Sequence, residues 1–188
     1  MPAVQSDSLF IPEAEYLAGE LSSDVRHEYV AGQVFAMAGA SLRHNDIALN
    51  LAFALRGGAQ GTPCRVNVSD VKVHVRQSKA YYYPDVVVSC GAEDAEAHSL
   101  QNPCLIAEVT SGSTEWRDFT EKALAYQKLE SLQAYLIIAQ DTMQVTLYFR
   151  DGDGGWQVSR FDEPEQSLAL VCPEMVLDLQ AIYAGITF

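Results

Sequence analysis

Basic residues are scarce in this chain: 12 Lys and Arg stand against 25 Asp and Glu, a formal net charge of −13. A protein that wraps a polyanion normally carries a basic footprint, because phosphate contacts supply most of its non-specific affinity. Capture of nucleic acid by the surface as a whole is therefore excluded, and any such contact has to come from a local basic patch and a bound metal. Long apolar runs are missing too. The longest, Ala134–Ala139 and Val86–Val88, are strand-sized and well short of the ~20 residues that cross a bilayer, so no membrane partner is expected. Met1–Ser8 has no basic stretch and no apolar segment after it, so secretion is not expected. No Pro/Gly/Ser-rich linker, internal repeat or low-complexity tract interrupts the 188 residues. Residues 1–188 are expected to form a single domain with its core at about 11–184. Cysteine is sparse: Cys64, Cys90, Cys104 and Cys172 show no C-x-x-C pair and no metal-ligand spacing. Most sit beside apolar residues, so buried free thiols in a reducing cytoplasm are the expectation.

What is present is an ordinary globular mixture, 48% apolar and 20% charged. Ile11–Leu21 reads as a short helix. The pattern HEYVAGQVFAM from Arg26 to Met37 predicts a β-hairpin turning at Ala31-Gly32. Ser41 can cap a helix running to about Arg56, with Gly57-Gly58 as its stop. On it His44, Ile47, Leu51 and Leu55 share one face by i, i+3/i+4 spacing. Arg65–Arg76 alternates like a strand, with a change of parity that asks for a bulge or break near Ser69-Asp70. Beyond that point Lys72, His74 and Arg76 line one side, either as a local basic patch or as a solvated strand face.

Val86–Val88, Leu105–Val109 and Tyr135–Ala139 are apolar on successive residues, as central strands covered on both faces are. A helix from about Asp118 to Leu132 is expected between the last two. A hairpin follows, Val145–Arg150 with Trp156–Phe161 across Asp151–Gly155, and a short helix near Leu177–Tyr183. The order predicts a mixed α/β sheet with helices on its faces.

Asp85 follows Pro84 at the mouth of one apolar strand, and Glu108 lies near the end of the next. Carboxylates at the edges of central strands are costly unless something offsets their charge. A divalent cation such as Mg²⁺ does this with one or two carboxylates plus oxygens of water and phosphate. A turn cap for Asp85 and a structural ion pair for Glu108 are the plainer readings. Lys122 weighs against them. It falls on one stripe with Phe119, Tyr126 and Leu129, so it projects among core-facing residues, whereas Lys128 lies off the stripe. A lysine on a buried face neutralises a carboxylate or does chemistry, unless only its stem is buried.

An acid after proline, a second acid on the next strand and a lysine, in that order, resemble the PD-(D/E)XK nuclease superfamily. The usual lysine lies two residues past the second acid, where this chain has Thr110. More closely, the chain resembles the Uma family of bacterial restriction endonucleases, in which the lysine stands on the following helix. The resemblance runs from about Glu15 to Ile182. Its markers are HEYVAGQ with Glu28, SLRH with His44, SDVKV with Asp70, YPDVVV with Asp85, AEVTSGST with Glu108, and RDFTEKALAYQKLESLQAYLII with Lys122 and Tyr126.

The resemblance implies a restriction-endonuclease-like mixed central sheet flanked by helices, with an added N-terminal helix-hairpin and a C-terminal hairpin. It implies Mg²⁺-dependent (or Mn²⁺-dependent) hydrolysis of DNA phosphodiester bonds, with Asp85, Glu108 and the Val109 carbonyl as metal ligands. Lys122 would orient or activate the attacking water, and Glu28 would add a ligand to metal or water. His44 is expected either to contact phosphate or orient Glu28, or to be a core histidine; Tyr126 is expected to pack and position. Cutting both strands of a duplex is easiest with two sites, so a homodimer is the expected assembly. Two other readings stay open: a catalytically inactive nuclease-like module that binds a partner protein, and a metal-dependent hydrolase of a small phosphate ester.

Overall fold

The computed structural model describes residues 10–91, 99–112 and 115–188. Helix α1 (Glu13–Glu20) leads into strands β1 (His27–Val30) and β2 (Gln33–Ala36), paired antiparallel. The turn between them is the one expected. Ala31 and Gly32 both have positive φ, 46° and 99°, the backbone that a two-residue hairpin of matching twist requires. A side chain at position 32 would also collide with the ring of Phe10.

Helix α2 (Leu42–Gly58) is capped by Ser41, whose Oγ accepts from the His44 amide at 3.1 Å. Its buried stripe is Ile47, Leu51 and Leu55, each with no exposed surface, worth about 1.5–3 kcal/mol apiece in apolar burial. The helix runs two residues past the expected end at Arg56, so that Gly57 and Gly58 are its last residues. Gly58 is there for space, since a Cβ would run into Met175.

Of the bulge or break expected near Ser69-Asp70, the structure has the break. Residues 64–76 form β3 (Cys64–Val68) and β4 (Val73–Val75), separated by Asp70 with φ of 77°, and the two strands belong to different sheets. A 3₁₀ turn (Arg76–Ser78) then leads to β5 (Ala80–Tyr82). Neither reading of the basic stripe survives. Lys72 and His74 are buried, Lys72 over the rings of Tyr16, Tyr81 and Tyr83, and His74 stacked on Tyr81 at 4.1 Å. Tyrosine faces attract the ammonium, which a count of alternating charges does not register.

The central strands follow: β6 (Val86–Cys90), β7 (Leu105–Thr110) and, after a helical crossover, β8 (Ala134–Ala139). The crossover is shorter than the expected helix. It comprises an α turn, α3 (Glu115–Arg117), a π turn (Asp118–Lys122) and a second α turn, α4 (Ala123–Tyr126). The hairpin β9 (Val145–Arg150) and β10 (Trp156–Phe161) is as expected. A further hairpin, β11 (Ser167–Val171) with β12 (Glu174–Asp178), was not expected, and it shortens the last helix to α5 (Leu179–Ile182). Glu93, Asp94 and Glu96 lie outside the described residues.

The main sheet has the order β10-β9-β8-β7-β6-β3, with only β7 and β8 parallel, as the helical crossover between them demands. One face is covered by α2, α5 and the β11–β12 hairpin, the other by the crossover helix and the small sheet β2-β1-β5-β4. This is the mixed sheet flanked by helices that the element order predicts.

The cysteines are not free thiols. Cys64 faces Cys90 across the β3–β6 register and is bonded to it, and Cys104 is bonded to Cys172 in the turn between β11 and β12. Spacing along the chain says nothing of pairings made by strand register.

Candidate active site

Side chains alternate across a strand, so on β7 Ile106 and Glu108 point to one face while Leu105, Ala107 and Val109 point to the other. Glu108 thus faces the crossover helix. The β6–β7 register pairs Val86 with Ala107, so one step further Asp85 stands across from Glu108. The Asp85 carboxylate is tied down there: its Oδ2 accepts the Val109 amide at 2.7 Å and lies 3.1 Å from His44 Nε2.

Lys122 is the hub. Its Nζ lies 2.9 Å from Glu28 Oε1, 3.0 Å from Glu108 Oε1 and 3.4 Å from Asp118 Oδ1. Tyr126, one turn on, donates to the same Glu108 oxygen at 3.0 Å. Arg117 reaches Glu28 Oε2 at 3.1 Å and Glu121 at 3.1 Å, and Tyr82 donates to Glu121 at 3.2 Å. Behind the acids Tyr82, Tyr126 and Tyr135 stack edge to face, which fixes the Tyr126 ring and so the hydroxyl aimed at Glu108.

The structure therefore brings Glu28, Glu108 and Lys122 into direct contact, with Asp85, His44 and Val109 beside them. Asp118 and Arg117 complete the group and were missed. The signal for Asp118 was in the sequence, because an acid four residues before Lys122 on a helix lies on the same face.

Glu28, Asp85, Glu108, Asp118 and Glu121 put five carboxylates against Lys122, Arg117 and the His44 imidazole. Burial raises the Glu108 pKa well above its ordinary value; Lys122 opposes the shift, and Asp118, Asp85 and Glu28 add to it. Burial pulls Lys122 down, but Glu108, Glu28 and Asp118 together outweigh it and hold its proton on. His44 is raised chiefly by its hydrogen bond to Asp85; burial acts against this, and the Val109 backbone adds to the rise.

The donors are of the type a hard divalent cation takes, and as they stand the Lys122 ammonium sits between Glu28 and Glu108. The donor set is all oxygen and carries surplus negative charge. Glu28 Oε1 is buried and, although close to Lys122, accepts no hydrogen bond of good geometry. Asp85 and His44 are more exposed than Glu28, Glu108 and Lys122, and Arg117 is more exposed still, so the group reaches solvent at both places.

Residues 13–180 match the Uma2 family model, described as "Putative restriction endonuclease". Two Synechocystis proteins of strain PCC 6803 are similar over most of their length. The uncharacterized protein slr1290 is 31% identical over 175 residues, covering 93% of this chain and 92% of that one. The uncharacterized protein sll1609 is 33% identical over 156 residues, covering 81% and 88%. In fold the chain is similar to a crystal structure described as a "putative nuclease belonging to DUF820" from Anabaena variabilis. The TM-score is 0.76 at 16% identity, over 93% of this chain and 98% of that one.

Proposed function

From the premise that the chain belongs to the Uma2 family of restriction-endonuclease-like proteins, we propose that it is a divalent-metal-dependent endonuclease cutting DNA phosphodiester bonds. The observation that carries this reading is the Lys122 ammonium set between Glu28 and Glu108, one strand away from Asp85. A structural ion pair needs one acid per base, whereas Glu28, Glu108 and Asp118 all crowd the one Lys122 ammonium.

Asp85, Glu108 and the Val109 carbonyl would hold Mg²⁺ or Mn²⁺, with Glu28 as a further ligand to metal or water. When bound, the ion polarises the scissile phosphate and acidifies water. The protein's own groups divide the remaining work. Lys122 keeps its proton, so it serves as a donor, orienting the water and offsetting charge as the new P–O bond forms. Tyr126 holds Glu108 in place. His44, on an open side and prone to carry a proton, can donate to a phosphate oxygen.

Acting on DNA would place the protein in the cytoplasm, and a homodimer would supply the second site for a double-strand cut. A second reading has its own support. With Lys72 and His74 buried and a net charge of −13, a small phosphate diester, which needs no basic groove, also fits.

The test is incubation of supercoiled plasmid, and separately of a chromogenic phosphodiester, with Mg²⁺ or Mn²⁺, beside Asp85→Ala and a chelator control. Nicking lost in the variant and with chelator supports the first reading. Turnover of the small diester alone supports the second. Neither, with the variant and wild type equal, rejects both and leaves a partner-binding module.

A further inference from the structure

The cysteines lie far from the acids on the same strands. Asp85 precedes β6 and Cys90 ends it; Cys104 precedes β7 and Glu108 lies near its end. At ~3.3 Å per residue the two groups are roughly 15 Å apart, so the chemistry at one is not the chemistry at the other.

Four separate segments deliver these sulfurs: β3, the end of β6, the start of β7 and the turn between β11 and β12. Three of them, from Cys64, Cys90 and Cys172, meet at one point, and the fourth, from Cys104, adjoins through Cys90 and Cys172. Besides the Cys64–Cys90 and Cys104–Cys172 bonds, Cys90 Sγ lies 3.0 Å from Cys172 Sγ and 3.4 Å from Cys104 Sγ. The Sγ atoms of Cys64, Cys90 and Cys172 all lie within 4.8 Å of one another. Two independent staples have no need to touch. Four sulfurs from four segments gathered in one cluster, three of them mutually adjacent, are the ligand set of a tetrahedral thiolate site once Cys64 and Cys104 draw together.

We propose that, with both disulfides reduced, Cys64, Cys90, Cys104 and Cys172 form a closed site for one Zn²⁺. Zn–S bonds of ~2.3 Å in a tetrahedron set the sulfurs about 3.8 Å apart, and the contacts between the two pairs already bracket that spacing. The bonded pairs must part by under about 2 Å. Soft thiolates select zinc over the hard cation that the acids suit, so the two sites take different metals. With four protein ligands there is no open position, and the role is structural. The ion joins the edge strand β3 and the β11–β12 hairpin to the centre of the main sheet. The conversion is balanced. A phosphine reductant takes two electrons' worth of oxidation from each disulfide with one water, giving a phosphine oxide and two thiols. Four thiols then lose four protons to the buffer as Zn²⁺ binds.

The experiment uses the full chain, reduced anaerobically with a phosphine, loaded with Zn²⁺ or Co²⁺ and desalted. The expected result is one metal ion per chain, with the thiolate-to-cobalt charge-transfer and intense d–d absorption of a tetrahedral sulfur site. Asp85→Ala should retain it, which separates this site from the acids. Cys172→Ser should lose it. Cys64→Ser, at a half-buried edge position, should lose it too, and serves if Cys172→Ser does not fold. A zinc-dependent rise in melting temperature should be seen with the reduced protein and not with the oxidised protein. No metal on the reduced, folded chain overturns the proposal. So does a cobalt spectrum without thiolate bands, an iron chromophore in its place, or unchanged stoichiometry in the cysteine variants.

Discussion

The Lys122 ammonium lies 3.0 Å from Glu108 Oε1, so one turn of the crossover helix and one residue of a central strand form a single buried charge pair. Removing the cation leaves acids stranded in the interior. Lys122→Met is expected to cost about 3–5 kcal/mol, the usual penalty for breaking a buried pair from one side. It should also lower nicking by at least about 100-fold, as losing a preorganised donor does. Lys128→Met, on the exposed side of the same segment, should stay within about 0.5 kcal/mol in urea melts. Equal effects from the two would refute the assignment.

His44 reports on Asp85. Its pKa is raised by the hydrogen bond to that carboxylate, against burial. A raised histidine stabilises the fold fully below ~6.5, the unfolded value, and the contribution fades as pH climbs through the folded value. Imidazole NMR titration of the metal-free protein should place His44 above 6.5, and Asp85→Asn should bring it down. A His44 titration indifferent to that change would mean the contact is not made in solution.

Tyr183 ties the C-terminal segment to the sheet. Its hydroxyl donates towards the carbonyls of Gln144 and Ala139, at 2.7 and 2.9 Å, and accepts the Gln144 amide at 3.1 Å. Burial pushes its pKa up to about 12, with the hydrogen bond from Gln144 acting against this. The unfolded phenol ionises first, near 10, so this contribution is intact below about pH 10 and declines as pH rises to the folded value. Alkaline denaturation followed by circular dichroism should be shallower over that range in Tyr183→Phe than in wild type.

Gly32 and Gly152 make a matched pair. At Gly32 φ is positive and a Cβ would strike Phe10, whereas nothing crowds Gly152. Gly32→Ala should therefore cost more than about 1 kcal/mol and Gly152→Ala a few tenths, read from thermal melts.

What could be read in advance divides by distance along the chain. The Ala31-Gly32 turn, the Ser41 cap, the β9–β10 hairpin and the inward set of Lys122 are local, and periodicity or turn chemistry gives each directly. The meeting of Glu28 with Lys122 is not local; only the likeness to a family put those residues in one site. Arg117 on Glu28 and the clustered sulfurs depend on strand register and on how the elements pack, which no spacing encodes. Lys72 misled because a strand face reads as solvated until the tyrosines that cover it are known.

The π turn at Asp118–Lys122 gives the crossover helix slack. A wide turn holds one residue more than an α turn of the same reach, and such turns recur at functional sites. Arg117 before it and Lys122 at its end both meet the acids, an aim that a uniform helix could not give to neighbours five positions apart. Losing a single residue from this stretch would let the segment tighten into ordinary helix while its flanks kept their seats. Residues four apart in an α-helix lie only ~40° apart, so the shortened segment would keep Arg117 and Lys122 on the side of the acids, and the extra residue is one that both scaffold and site can lose.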